Sequence, residues 1–274
     1  MKASMPRSPV KSGTILDAIV ETKRESLKRA KNAISIDALK ESITDAEDAR
    51  GFHAAIRDRE GVSVIAEIKA KSPSAGVIAH SFTPESIAAA YQEGGACALS
   101  VLTEEDHFGG SLEFLSRARN RVTIPVLRKD FIFDPYQLSE ARAAGADAVL
   151  LITAILDHDT LIDLMEQARD IGLDSLVEVH TVSERDTALK AGSRLIGINN
   201  RDLKTFVTDL STTERIMTGM PEDITVISAS GVSSGDDVRR LMGAGVKGVL
   251  VGESLMRSDD IETKLTELIL GGAA

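Results

Sequence analysis

Apolar residues in this chain follow two rhythms, and the change comes near residue 62. Before it, Ile15, Leu16, Ile19, Val20 and Leu27 recur at helical spacing, and Thr14 can cap the helix they predict, through about Asn32. Shorter helical patches follow at Ile36–Ser42 and Ala46–Arg59, so the first sixty residues form an extension without a strand. Residues 1–13 read as a loose end. From Val62 onward a strand, a loop and a helix alternate. The predicted strands are Val62–Lys69, Ala96–Leu102, Ile124–Lys129, Ala146–Ile152, Ser175–His180, Arg194–Asn199, Ile224–Ser230 and Val246–Val251. The helices between them are Pro84–Glu93, Ser111–Arg119, Pro135–Ala144, Asp159–Ile171, Ser183–Ala191, Thr212–Met217 and Asp236–Gly243, with Ile261–Leu270 last. These strands are apolar almost throughout, as expected where helices cover a parallel sheet.

The junctions repeat as well. Glu93-Gly94-Gly95-Ala96, Ala144-Gly145-Ala146, Ala191-Gly192-Ser193 and Gly243-Ala244-Gly245-Val246 each end a helix on glycine and begin a strand. Glycine suits the left-handed residue that closes such a helix. From Gly95 through Gly145 and Gly192 to Gly245 the intervals are 50, 47 and 53 residues, room for two strand–helix units each. Eight units over about 210 residues is the size of a (β/α)8 TIM barrel. An open doubly wound sheet would want a Gly-x-Gly-x-x-Gly turn after an early strand. The sequence has none. The expectation is one (β/α)8 barrel domain over residues 1–274, with residues 1–60 as an N-terminal helical extension.

Composition narrows the partners. A formal charge of −10 argues against a surface that grips nucleic acid or an anionic membrane, yet permits a small basic pocket. Cys97 is the only cysteine, which excludes an intrachain disulfide and suits a reducing cytoplasm. Met1–Gly13 lacks the apolar stretch of a signal peptide, and no run approaches the roughly 20 apolar residues of a membrane span. The five histidines are scattered, so no metal site is expected, and no Walker-type loop or dinucleotide fingerprint appears. His180 reads as a polar rim residue.

Candidate chemistry collects at strand ends. In Val64-Ile65-Ala66-Glu67-Ile68-Lys69, Glu67 and Lys69 stand two apart and point from one face. Charges at the end of a core-like strand need a partner or a purpose, because burying each ion costs several kcal/mol. Arg128-Lys129-Asp130 ends the third strand, Glu178 lies in the fifth, Asn199-Asn200-Arg201 ends the sixth, and Ser228-Ala229-Ser230-Gly231 the seventh. Active sites of such barrels form at these C-terminal ends, and odd-numbered strands feed one layer. Glu67, Lys69, Lys129 and Glu178 are therefore expected to face one pocket. Ser230-Gly231-Val232 and Gly252-Glu253-Ser254 follow strands seven and eight, where backbone N–H groups commonly hold phosphate.

Taken together, Glu67-Ile68-Lys69 with Ser72-Pro73-Ser74, Ser100-Val101-Leu102-Thr103-Glu104, Leu127-Arg128-Lys129-Asp130-Phe131-Ile132, Val177-Glu178-Val179-His180, Gly197-Ile198-Asn199-Asn200-Arg201-Asp202-Leu203 and Gly252-Glu253-Ser254-Leu255-Met256 resemble the indole-3-glycerol phosphate synthase family. The likeness runs from the N-terminal helices to the last helix. Where the family often has a second lysine directly after the first, this chain has Ala70 and then Lys71. The resemblance implies ring closure, decarboxylation and dehydration of 1-(2-carboxyphenylamino)-1-deoxyribulose 5-phosphate, in tryptophan biosynthesis and without a cofactor. It implies Lys129 as the general acid and Glu178 as the base, with Lys69 on the substrate carboxylate and Glu67 positioning Lys69. Asn199 and Ser230 complete the implied catalytic set. Phe108 and Phe131 would pack on the aromatic ring, Ser72 would touch substrate, and Arg201, Gly231, Gly252 and Glu253 would take the anion. A small phosphorylated substrate is the expected partner of a cytoplasmic monomer or weak homo-oligomer.

Three rivals share parts of this pattern. Phosphoribosylanthranilate isomerase, on the same fold, would use a different acid–base pair and would not need the helical extension. A Schiff-base aldolase would use Lys69 or Lys129 as a nucleophile. A silent barrel would bind phosphorylated ligands without turnover.

Overall fold

The computed structural model describes residues 9–44, 46–72, 76–77 and 83–272. Residues 1–8, 45, 73–75, 78–82 (with His80) and 273–274, and the Ser72 side chain, lie outside what is described. Apolar runs with no polar face need cover on both sides, and the strands obtain it by closing on themselves. The barrel strands are β1 (Ser63–Ile68), β2 (Ala98–Leu102), β3 (Val126–Lys129), β4 (Ala148–Ile152), β5 (Asp174–Val179), β6 (Leu195–Asn199), β7 (Thr225–Ala229) and β8 (Gly248–Val251). Each pairs in parallel with its sequence neighbours, and β1 pairs with β8 to shut the cylinder. Every residue of β1, β2, β4 and β7 is buried. Beyond the barrel, Lys71–Ser72 and Gly76–Val77 pair as a two-residue antiparallel ribbon.

Helices alternate with these strands where the apolar rhythm placed them: α4 (Pro84–Glu93), α5 (Leu112–Arg121), α6 (Pro135–Ala143), α7 (His158–Asp170), α8 (Val182–Lys190), α9 (Ser211–Met217) and α10 (Gly235–Gly243), then, after a single turn α11 (Glu253–Met256) outside that rhythm, α12 (Ile261–Gly271). The glycine connectors behave as their chemistry requires. Gly95, Gly145, Gly192 and Gly245 all have φ between 85° and 95°, where a Cβ would be strained. Among the described residues, no helix is long and apolar enough to cross a membrane.

The extension consists of α1 (Ile15–Ala33), α2 (Ile36–Thr44) and α3 (Phe52–Arg57). The Thr14 hydroxyl accepts from Leu16 N–H, the cap expected of it. Two expectations are corrected here. The chain just before Thr14 is tied down rather than loose: Val10 N–H bonds Ile155 O, and Ser12 and Gly13 N–H bond the Asp17 carboxylate. The third helix is also shorter than Ala46–Arg59. Gly51 takes φ 61°, which no right-handed helix accommodates, and Arg50 N–H is committed to Asp147. Arg50 also donates to Val122 O and Ile124 O, stretching residues 46–50 across the N-terminal mouth of the barrel. Phe52 and Ile56 are then completely buried, and α3 closes that end. The other end stays open.

Candidate active site

The open C-terminal mouth holds a cavity of about 440 Å³, within the usual range for a small-molecule site. Glu67, Lys69, Lys129, Glu178, Asn199, Arg201, Ser230, Gly231, Gly252, Glu253, Phe108 and Phe131 all line it. Parallel register explains the convergence. Lys129 is level with Leu102 on β2, Glu178 with Ile152 on β4, and Asn199 with Ala229 on β7, so polar tips from distant segments reach one depth.

Two charge pairs form the floor. Lys69 Nζ donates to Glu67 Oε1 at 2.7 Å, on the shared strand face foreseen from their spacing. Lys129 Nζ lies 3.7 Å from Glu178 Oε2, and Asn199 Nδ2 donates to Glu178 Oε1 at 3.2 Å. Burial raises the carboxyl pKa of Glu67, but the positive charges of Lys69 and Lys129 outweigh it and keep Glu67 ionised below its ordinary range. Burial also favours a neutral Lys129, yet Glu178 and Glu67 hold its ammonium above the ordinary lysine value. The resting pocket therefore presents Lys129 as an acid.

The aromatic wall is built by a loop device that the sequence did not reveal. Glu104, buried after β2, accepts the N–H groups of Asp106, His107 and Phe108. These three hydrogen bonds fold the loop and deliver Phe108 to within 6.0 Å of Phe131, centroid to centroid, the two rings tilted by 35°. Ile15, Leu16 and Ile19 of α1 add an apolar side to the same cavity. The helical extension thus forms part of the wall.

After β7, Ser230 and Gly231 adopt φ of 67° and 84°, consecutive left-handed residues that turn the chain sharply at the rim. A serine in that conformation is strained, and such strain collects at functional sites. After β8, Gly252 precedes α11, whose first N–H groups have no intrahelical acceptor. A Cβ on Gly252 would sit 2.5 Å from Glu67 Oε1, so only glycine lets this turn approach the charge pair. Arg257 lines the same corner, 3.2 Å from Glu253 Oε1. Its position one turn after Glu253 was the signal that could have marked it.

His180 departs from expectation. Its side chain is only 10% exposed and sits behind Glu178, packed between that residue and Glu184 rather than on the rim. His180 stands just past the end of β5, where the chain bends, and its backbone N–H and ring are drawn to Glu184 instead of following the strand.

Comparison with known proteins matches this architecture. The sequence model of indole-3-glycerol phosphate synthase matches residues 16–268. An indole-3-glycerol phosphate synthase of Alkaliphilus metalliredigens is 45% identical over 257 residues, covering 94% of this chain and 98% of that protein. One from Mycolicibacterium smegmatis is 46% identical over 261 residues, covering 95% and 96%. Among solved structures, thiamine phosphate pyrophosphorylase from Pyrococcus furiosus superposes with a TM-score of 0.59 at 19% identity, covering 77% of this chain and 96% of that one. At that identity the likeness speaks to the barrel alone. The family match runs from α1 into the last helix and the relatives cover 94% and 95% of the chain, and on that ground this chain belongs to the indole-3-glycerol phosphate synthase family.

Proposed function

We propose that the pocket binds 1-(2-carboxyphenylamino)-1-deoxyribulose 5-phosphate and converts it to indole-3-glycerol phosphate, carbon dioxide and water. The observation that supports this most is the pairing of Lys129 with Glu178 beside Lys69 with Glu67 in one cavity. Ring closure begins when the aromatic carbon bearing the carboxylate attacks the ketone. The developing alkoxide needs a proton, and Lys129, held as an ammonium, supplies it. Lys69 binds the substrate carboxylate until it leaves as carbon dioxide, and Glu67 fixes the Lys69 ammonium. In the last stage the hydroxyl takes a proton from the Lys69 ammonium and leaves as water while Glu178 removes a ring proton. Asn199 orients Glu178, and Ser230 borders the same centre.

The remaining lining residues suit the two ends of the substrate. Phe108 and Phe131 flank the benzene ring, while Gly231, Gly252 and Glu253 offer main-chain N–H groups to the phosphate, with Arg201 nearby. Ser72 is assigned a substrate contact from its motif alone. A lysine kept protonated is a poor Schiff-base nucleophile, which weighs against an aldolase. We place the protein in the cytoplasm as a monomer or weak homo-oligomer, in keeping with its single, buried, unpaired cysteine.

The direct test supplies the purified protein with this substrate and follows indole absorbance and fluorescence together with carbon dioxide release. Equal molar formation of both products is expected. Binding of the substrate without either product would sink the assignment.

A further inference from the structure

Behind Glu178, outside the cavity, three side chains from separate elements form a chain. Thr153 Oγ1, after β4, donates to Glu184 Oε2 at 3.1 Å. Glu184, in the first turn of α8, also accepts the His180 backbone N–H at 2.7 Å, and its Oε2 lies 3.2 Å from His180 Nδ1. Across the imidazole ring, Nε2 lies 3.4 Å from Glu178 Oε1. Nε2 is fully buried and has no hydrogen-bond partner. The carboxylates stand at opposite ring nitrogens, so the three groups do not converge as metal ligands do.

A buried ring nitrogen left unpaired is costly, and one aimed at the inferred base has a use. With Nδ1 donating to Glu184, a bare lone pair on Nε2 would be repelled by the Glu178 carboxylate. A proton on Nε2 turns that repulsion into a charge-assisted bond, and an imidazolium has a donor on each side. Contacts of this kind are often long without substrate and tighten in the complex.

We propose that His180 is a positioning residue for this reaction: braced by Glu184, it grips Oε1 of Glu178 from behind and leaves Oε2 toward Lys129 and the substrate. Asn199 binds the same Oε1 from β6, so the carboxylate is held by two side chains on one oxygen. The charged groups facing His180 are Glu178 on β5, Glu184 on α8 and Lys129 on β3. Burial favours the neutral ring, and Lys129 adds to that, but the two carboxylates outweigh both and hold His180 above its ordinary range. The inference rests on Glu178 being the base.

His180→Ala is expected to lower kcat about tenfold to a hundredfold, less than loss of the base itself, while KM stays within about twofold. Its kcat profile should lose the pH dependence that the titrating His180 ring contributes. His180→Gln, whose amide can still donate to Glu178, should recover part of the rate. Ring NMR of the whole protein supplies a readout independent of turnover and of whether His180→Ala folds. The His180 signal should titrate above the ordinary histidine value in the wild type and fall in both Glu184→Gln and Glu178→Gln. A folded His180→Ala with wild-type kcat and pH profile would overturn the inference, as would a His180 ring indifferent to both carboxamide variants. Should Glu178→Gln itself turn over at the wild-type rate, the assignment of the base fails instead. An inactive Glu178→Gln beside unaffected His180 variants removes this inference alone.

Discussion

Lys23, in the middle of α1, donates a 2.7 Å hydrogen bond to Asp130, the residue directly after Lys129. Both side chains are buried, and Asp130 also accepts from Thr103 and Arg128. Asp130 Oδ1 in turn accepts the Phe131 N–H. One carboxylate therefore ties the helical extension, the end of β3 and the aromatic wall together. The extension is joined to the inferred acid by one peptide bond and one ion pair.

Removing the lysine leaves a buried carboxylate with one fewer counter-charge. Breaking a buried pair in this way costs about 3–5 kcal/mol, and Arg128 and Thr103 should keep the loss near about 3 kcal/mol. Lys23→Met is thus expected to lower the urea midpoint and also to reduce kcat, through a looser β3 end. Unchanged unfolding and unchanged kinetics would show that α1 is held by its apolar face alone.

The same carboxylate sets an acid limit. Burial favours its neutral form, but Lys23 and Arg128 hold the Asp130 carboxyl well below the ordinary carboxylate value of 3.8. A depressed folded-state pKa contributes stability that is complete above the unfolded value and drains away as pH falls below it. Wild-type unfolding free energy should therefore drop between about pH 5 and pH 2 more steeply than that of Asp130→Asn. Parallel pH dependence in the two proteins would contradict this assignment.

Lys129 lines the cavity and is partly exposed to it, so truncating it opens no apolar void. Lys129→Ala should keep the wild-type circular dichroism and most of the thermal stability while turnover falls by about 10²–10⁴ or below detection. Glu178→Gln should depress the rate by a similar factor of about 10²–10⁴. Product formation near the wild-type rate in either variant would remove that residue from the mechanism.

Gly252 offers a subtler test. An added methyl would meet the Glu67 carboxylate and stem, forcing Glu67 away from Lys69. Gly252→Ala is expected to raise KM several-fold and lower kcat by about tenfold, with stability changed by about 1–3 kcal/mol, as overpacking usually costs. Normal kinetics would mean that the Glu67–Lys69 pair has room to shift without consequence.

Sequence by itself determined the strand–helix alternation, the glycine junctions and the charged strand ends. Each is a local signal: an apolar run, a residue that tolerates positive φ, a charge where the pattern forbids one. Glu67, Lys69, Lys129 and Glu178 were legible because they break the apolar rule of their own strands. Tertiary structure alone decided the rest. Lys23 and Asp130 are separated by 107 residues, and Asp147 meets Arg50 across 97, distances over which no periodicity carries information. The start of α3, the strained turn at Ser230, the Glu104 loop and the placement of His180 behind Glu178 arise only once the barrel closes. Closure sets which side of each strand faces the cavity, and a buried polar group must then take whatever partner the neighbouring element brings within reach.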